Sequence, residues 1–239
     1  TLSSLSDDGH VYAEQEQLLK SAVELLEADQ DSIVQAMKEM VESEQLIMDG
    51  DVIYLPPFYY AEIGTANKLK NLMGSTSMKA VPVQPNIQAI SLQTGIEYDD
   101  VQVDAIRQAV NSKVMVLTGG PGTGKTTTTQ GIIAALKDMG LKILLAAPTG
   151  RAAKRMSEAT GMEAKTIHRL LEYNPADGYK RNDENPIEGD VLIVDECSMI
   201  DILLMNNLVK ALSESMRLIL VGDIDQLPSV GAGNVLRDI

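Results

Sequence analysis

Hydrophobic and polar residues recur at helical spacing in the first part of the chain. Between about 11 and 45, two apolar faces with intervals of three and four residues predict two short helices. The segment LIMDGDVIYL has apolar flanks around Asp49-Gly50, which predicts a β-hairpin, and a third helix is predicted near 59–73. Helices followed by a hairpin indicate a small, mainly helical, winged-helix-like domain over 1–92.

The pattern changes in the second part of the chain. Pro and Gly breakers in VPVQPN and SLQTG predict a linker, and Asp99 or Asp100 can cap a helix that runs to about 111. Four short, continuous apolar runs follow, separated by helical stretches: VMVLTG, ILLAAP, VLIVDE and LILVGD. Strands that alternate with helices predict an α/β fold over 93–239, with a parallel sheet flanked by helices.

The charge distribution is uneven. The net charge of −14 argues against binding nucleic acid, because phosphates attract cations. Residues 1–92 hold 5 Lys and 14 acidic residues, whereas 149–181 hold seven basic and four acidic residues. The predicted helix over 31–44 is acidic, so contact with a protein partner or packing is favoured over DNA reading by the N-terminal domain.

The composition indicates a cytoplasmic protein without a membrane segment. No apolar run reaches the roughly 18 residues that a membrane helix needs, and the start of the chain lacks the pattern of a signal peptide. The single cysteine, Cys197, is interpreted as a small buried residue rather than a redox switch. Because the chain begins with Thr1, we expect it to be a piece of a longer protein.

The segment GGPGTGKT, Gly119 to Thr126, lies between a predicted strand and a predicted helix. This context satisfies the phosphate-loop pattern G-x-x-x-x-G-K-[ST]. Its backbone N–H groups can surround nucleotide phosphates, the Lys125 ammonium can neutralise them, and the Thr126 hydroxyl can bind Mg²⁺. The predicted nucleotide-binding residues here are Gly120, Pro121, Gly122, Thr123, Gly124, Lys125, Thr126 and Thr127.

Two further groups of polar residues follow predicted strands. Asp195 and Glu196 come at the end of VLIV, about 70 residues after Lys125, and open α/β sheets bind ligands at this edge. Asp195 is predicted to hold Mg²⁺ and Glu196 to polarise the attacking water. Gln226, in GDIDQLPSVGAG, suits a sensor of the γ-phosphate because its amide both donates and accepts. On spacing alone, an ordinary turn is an equal alternative for Gln226.

These segments, in this order, resemble a known family. GGPGTGKTTTT, AAPTGRAAKRM, TIHRLL, VLIVDECSMID and LVGDIDQLPSVGAGN resemble motifs I, Ia, Ib, II and III of RecD-type helicases. This RecD/TraA group forms part of the 5′→3′ branch of superfamily 1. The resemblance covers about 97–239 and implies an N-terminal domain followed by the first RecA-like motor domain.

The resemblance assigns further residues. It implies that Gln102 recognises adenine, although a solvated helix glutamine is the alternative. It also places one group of residues on single-stranded DNA: Thr149, Gly150, Arg151, Arg155 and His168. The chemistry agrees, because Thr149 can cap a helix whose free N–H groups meet phosphates beside basic side chains. For His168, an ordinary packing role stays an alternative.

The implied activity is ATP- and Mg²⁺-dependent unwinding of DNA in repair or recombination, acting on single strands and duplex junctions. Residues 172–182 predict a hairpin. The resemblance implies that it is a duplex-splitting pin, and an ordinary surface hairpin is the alternative. Family members carry a second RecA-like domain with an arginine for the γ-phosphate, so we expect this chain alone to bind ATP but hydrolyse it slowly. The alternatives are a non-motor P-loop ATPase switch and a DNA-binding module with a structural nucleotide site.

Overall fold

The computed structural model describes residues 2–75, 84–227 and 229–239. Its N-terminal elements are α1 (Leu2–Asp7), β1 (Tyr12–Glu14), α2 (Gln15–Leu26), α3 (Gln30–Glu42), β2 (Ile47–Asp49), β3 (Val52–Tyr54) and α4 (Pro56–Gly74). Helices α2 and α3 and the hairpin β2–β3 lie where the apolar pattern predicts them. Strand β1 pairs with β3, which makes an antiparallel sheet of order β1-β3-β2.

The N-terminal sheet and its helices enclose a small core of their own. The apolar faces of α2 and α3 contribute Leu18, Ile33 and Met37, which pack with Ile53 of β3. Asp29 caps α3 by accepting from the Ser32 N–H at 2.9 Å. A helix, a strand, two helices and a hairpin therefore make up this region, and its assignment as a winged-helix-like domain stays a prediction.

The second part of the chain forms the α/β unit. Its elements are α5 (Ile87–Thr94), α6 (Asp100–Asn111), β4 (Val114–Thr118), α7 (Lys125–Asp138), β5 (Ile143–Ala147), α8 (Gly150–Thr160), β6 (Ala164–Thr166), α9 (Ile167–Leu170), β7 (Tyr173–Asn174), β8 (Gly178–Tyr179), β9 (Val191–Val194), a 3-10 turn (Cys197–Met199), α10 (Ile202–Lys210), β10 (Arg217–Gly222) and α11 (Val235–Asp238). The four predicted strands are β4, β5, β9 and β10.

The main sheet is parallel and has the order β4-β10-β9-β5-β6. Side chains alternate across it: Leu192 and Val194 of β9 join one core, and Val191 and Ile193 join the core on the opposite face. Both faces are covered by helices, which confirms the predicted RecA-like P-loop α/β fold. Because the strands are parallel, all their carboxyl ends lie at one edge of the sheet.

Helix α4 packs against α10 of the α/β unit. Ala61, Leu69 and Leu72 of α4 share a core with Met205 of α10. The contact is close, since a Cβ added at Gly64 would lie 2.6 Å from Asn206 Oδ1. The domain boundary at 92 stays a prediction, but α4 is packed on the α/β unit. Neither α4 nor any other helix within the described ranges has the length and apolar content needed to cross a membrane.

The expectation of a linker at SLQTG is wrong. Residues Ile87–Thr94 form α5, whose first turn is capped by Asn86 accepting from the Ala89 N–H at 3.1 Å. Ile90 is buried against α7, so packing stabilises this short helix. Of the other predicted linker segment, 81–83 lie outside the described residues.

Candidate nucleotide site and the adjoining sheet edge

The phosphate loop connects β4 to α7. Gly122 and Gly124 have φ values of 76° and 82°, a region that L side chains disfavour, so these turns require glycine. The Thr123 hydroxyl donates to the Gly120 carbonyl oxygen at 2.9 Å and tightens the loop. The loop therefore delivers the N-terminus of α7, with its free N–H groups, to the carboxyl edge of the sheet.

The Lys125 ammonium lies over this loop. Its Nζ donates to the carbonyl oxygens of Gly119 at 2.5 Å and Gly120 at 2.9 Å. The side chain is half-buried and folds back toward the residues that precede it. A cation is thus held beside the N–H groups that can bind phosphate oxygens, as the motif predicts.

Asp195 and Glu196 follow the fully buried strand β9. The Asp195 N–H donates to the Ala146 carbonyl at 2.9 Å, and Asp195 Oδ1 accepts from the Glu196 N–H at 2.8 Å. Burial raises the pKa of Asp195, while the charges of Arg155 and Lys125 act in the opposite direction. Glu196 has a left-handed backbone, with φ of 55°, which costs roughly 1–3 kcal/mol for a non-glycine residue. Such strain at a ligand-binding edge is typical of a functional position.

A cavity of about 160 Å³ opens between these segments, and Thr126 and Asp195 both line it. Magnesium in phosphate sites takes one or two protein oxygens and completes its shell with phosphates and water. A hydroxyl and a carboxylate on one small cavity fit this requirement. Among the described residues, no group of three or more His, Cys, Asp or Glu is arranged to hold a metal ion.

Arg155 of α8 also lines this cavity and contacts Glu196. Its guanidinium donates to Glu196 Oε1 at 2.7 Å, and the two side chains are 63% and 23% exposed. Motif reasoning placed Arg155 on the DNA strand and did not predict this ion pair. Because β5 and β9 are neighbours in the sheet, α8, which follows β5, lies near the end of β9. The order of the strands cannot be read from the sequence. Direct DNA contact by Arg155 stays a prediction.

Gln102 lies beside the phosphate loop. Asp99 and Gln102 form a reciprocal cap of α6, with N–H to side-chain oxygen distances of 2.9 and 3.2 Å. The predicted capping by Asp99 is thus confirmed. A Cβ added at Gly124 would lie 2.6 Å from Gln102 Nε2, so the amide touches the loop. Recognition of adenine by Gln102 stays a prediction.

Gln226 follows β10, the strand between β4 and β9. It is exposed, and its backbone N–H donates to the Asp223 carbonyl at 3.2 Å. Asp223 is 2% exposed, and its carboxylate accepts from the Asp225 N–H at 3.0 Å. The fold therefore brings Gln226 to the edge that carries the phosphate loop and the acidic pair, while its sensor role stays a prediction.

The predicted DNA-contacting residues lie at the other half of the same edge. Thr149 caps α8 by accepting from the Ala152 N–H at 3.2 Å, which confirms the predicted cap. Gly150 and Arg151 form the exposed first turn of α8. His168 lies on α9, after the neighbouring strand β6. The residues predicted to bind nucleotide and those predicted to bind DNA thus follow different strands of one sheet.

A short hairpin follows α9. Tyr173 of β7 pairs with Tyr179 of β8, and their ring centroids are 4.7 Å apart. The exposed His168 ring contacts both tyrosines, at centroid distances of 5.5 and 5.9 Å. Aromatic contacts therefore connect the hairpin to His168, one of the residues predicted to contact DNA.

A phosphate loop after β4 and an Asp-Glu pair after β9, at one edge of a parallel, helix-covered sheet, define a P-loop nucleotide-binding protein of the RecA-like class. A profile of the AAA domain family matches residues 102–232, which include both segments. The chain belongs to the RecD-like family of superfamily 1 helicases, as its similarity to curated proteins also shows.

Three relatives illustrate this similarity. The chain is 40% identical over 181 residues to the ATP-dependent RecD2 DNA helicase of Deinococcus radiodurans, which covers 76% of this chain and 25% of that protein. It is 36% identical over 215 residues to the RecBCD enzyme subunit RecD of Mycolicibacterium smegmatis, covering 80% and 38%. The corresponding subunit of Haemophilus influenzae is 42% identical over 168 residues, covering 60% and 26%. The chain therefore spans between a quarter and two fifths of the length of these relatives.

Proposed function

We propose that this chain supplies the ATP-binding and strand-binding half of an ATP-dependent DNA helicase that moves 5′→3′. The observation that carries the proposal is the shared sheet edge. The phosphate loop, Asp195 and Glu196 follow β4 and β9, and Thr149 follows β5, the neighbour of β9. One rigid edge can therefore couple nucleotide chemistry to a grip on DNA. The polarity rests on family membership.

At the nucleotide, the loop N–H groups from Gly120 to Thr127 and the Lys125 ammonium would bind the phosphates. Thr126 and Asp195 would hold Mg²⁺, which supplies charge neutralisation when bound. Glu196 would accept a proton from the attacking water, and Gln226 would contact the γ-phosphate. Gln102 lies at the edge of the loop, and its side-chain amide would donate a hydrogen bond to the base or accept one from it.

At the DNA, the first turn of α8 would bind backbone phosphates through Thr149, Gly150 and Arg151, and His168 would lie farther along the strand. Backbone contact carries no base sequence, so we expect binding without sequence preference. The hairpin β7–β8 would meet the duplex junction. The acidic N-terminal module, proposed as 1–92, would contact a protein partner rather than DNA.

In this family the motor is completed by a second RecA-like domain, and closure of the two domains on ATP would alternate the grip on DNA. The chain alone, with 93–239 as the proposed first motor domain, would bind Mg·ATP and turn it over slowly. Repair or recombination is the corresponding cellular setting.

The decisive experiment measures DNA-stimulated ATPase and duplex unwinding in the intact protein. Lys125→Ala is expected to abolish both, because it removes the ammonium held over the phosphate loop. The matched control is Lys137→Ala, which removes an exposed lysine at the other end of α7. Wild-type turnover in Lys125→Ala would refute the proposal. ATPase that ignores DNA, without unwinding, would favour the non-motor switch.

A second measurement locates the DNA. Arg151→Glu is expected to weaken binding of single-stranded DNA equally across sequences and to reduce its salt dependence by about one phosphate contact. Lys38→Glu on α3 is the control in the N-terminal module. A larger loss from Lys38→Glu would instead assign DNA binding to the winged-helix-like module.

A further inference from the structure

We propose that Arg155 is a positioning residue that holds the Glu196 carboxylate and makes α8 the link between bound DNA and the ATP site. This inference rests on the proposed function and extends it. Thr149, Gly150 and Arg151 at the start of α8 face the proposed strand. Arg155 lies little more than one turn further along the same helix, since a helical turn holds about 3.6 residues.

The first observation is the ion pair itself. The Arg155 guanidinium and Glu196 Oε1 are 2.7 Å apart at the cavity that Thr126 and Asp195 also line. Glu196 has a left-handed backbone conformation, which is unfavourable for a non-glycine residue. This conformation fixes the direction in which the side chain leaves the backbone. A charge-assisted hydrogen bond to its carboxylate then selects where the oxygen atoms lie.

The second observation is an independent contact between α8 and the phosphate-loop helix. Gln130 Nε2 of α7 donates to the Ala159 carbonyl of α8 at 2.5 Å. Met156 of α8 is buried in the core that also contains Ile132 and Ile133 of α7. Helix α8 therefore contacts both parts of the nucleotide site: the loop helix through its last turn and Glu196 through Arg155.

These contacts connect the N-terminus of α8, where DNA would bind, to the Glu196 carboxylate. A phosphate bound at the N-terminus of α8 attracts the helix that carries Arg155. Any displacement of this helix moves Arg155 and, through the ion pair, the Glu196 carboxylate. A general base that must lie within hydrogen-bond reach of the attacking water is sensitive to shifts of this kind, since a 1 Å misplacement can cost roughly 10²-fold in rate. Stimulation of ATP turnover by DNA follows from this arrangement.

The test uses Arg155→Met in the intact protein, with kcat and KM for ATP measured with and without saturating single-stranded DNA. We expect kcat with DNA to fall roughly 10- to 100-fold, at most the lower end of the 10²–10⁴ that a positioned base contributes, while KM for ATP stays near the wild-type value. The ratio of stimulated to basal turnover should fall toward one. Arg155→Lys should restore part of kcat, because lysine keeps the charge but lacks the planar fork.

A double mutant distinguishes action through Glu196 from direct contact with phosphate. If Arg155 acts through Glu196, adding Arg155→Met to Glu196→Gln should lower turnover no further. An additional loss in the double mutant overturns the inference in favour of direct phosphate contact. Unchanged kcat at saturating DNA, with weaker DNA binding, overturns it in favour of a plain DNA contact.

Lys68→Met is the matched control, since Lys68 forms an equally short ion pair with Asp183, at 2.8 Å, away from the nucleotide cavity. Its kcat and DNA stimulation should match those of the wild type. Equal urea midpoints for all variants exclude loss of fold. If the wild-type protein itself shows no DNA-stimulated turnover, the proposed function fails and this inference fails with it. An active wild type with an unaffected Arg155→Met refutes the inference alone.

Discussion

Replacing Gly131 by alanine tests the packing between α6 and α7, the helix that begins at the phosphate loop. Gly131 lies in the middle of α7, the phosphate-loop helix, where α6 and the segment before it pack closely. An added Cβ would lie 2.5 Å from Ile106 Cδ1 and 2.9 Å from two ring atoms of Tyr98. Ile106 is fully buried and cannot withdraw toward solvent. These side chains would therefore have to repack, or the helices would have to separate.

Two opposing contributions set the magnitude. Alanine is more favourable than glycine inside a helix by about 1 kcal/mol. Overpacking a dense core typically costs about 1–3 kcal/mol. With three contacts under 3.0 Å, the cost should lie toward the upper part of that range, which leaves Gly131→Ala less stable by about 1–2 kcal/mol.

Thermal and urea unfolding of the 239-residue chain measure this difference. A loss of that size should lower Tm by about 2–8 °C for a protein of this length. Gly74→Ala is the control, because nothing lies within 4 Å of a Cβ added at the end of α4, and it should be neutral or slightly stabilising. If Gly131→Ala were as stable as Gly74→Ala, the account of the α6–α7 contact would be refuted.

Three further predictions concern the site and its surroundings. Glu196→Gln should keep ATP affinity but lose roughly 10²–10⁴ in turnover, and weakened ATP binding in equilibrium titrations would contradict the assignment of Glu196. Deletion of 174–179 should abolish unwinding while DNA-stimulated ATPase persists; a normal unwinding rate would make the hairpin an ordinary surface loop. The Cys197 thiol is buried and donates to the Val194 carbonyl at 3.1 Å, and burial raises its pKa. Maleimide labelling should therefore require unfolding, and rapid labelling of the native chain would show otherwise.

Local pattern is sufficient for much of this fold. The continuous apolar runs identify β4, β5, β9 and β10 because a strand buried on both faces has no polar alternation. The phosphate loop is recognisable since its chemistry depends on adjacent residues. The caps at Asp99 and Thr149 are equally local. Each of these features is determined within a few residues of chain.

The features that sequence reasoning missed depend on contacts between distant segments. The ion pair of Arg155 with Glu196 joins residues 41 apart, and it requires β5 and β9 to be neighbours in the sheet. Strand β6 is short and only half-buried, so its apolar signal is weak. The segment SLQTG is typical of a linker because it ends in Gly95. Burial of Ile90 against α7 stabilises a helix that continues through Thr94.

The packing of α4 determines where the chain can be divided. A protein that starts at residue 93 would lack α4 and would expose the apolar surface that Met205 and its neighbours present to Leu69 and Leu72. Such a truncation should aggregate. A cut that keeps α4 with the α/β unit therefore falls near Tyr54, after β3. Any fusion or swap of the N-terminal region, by recombination of genes or by design, must leave α4 attached to the part that carries the phosphate loop.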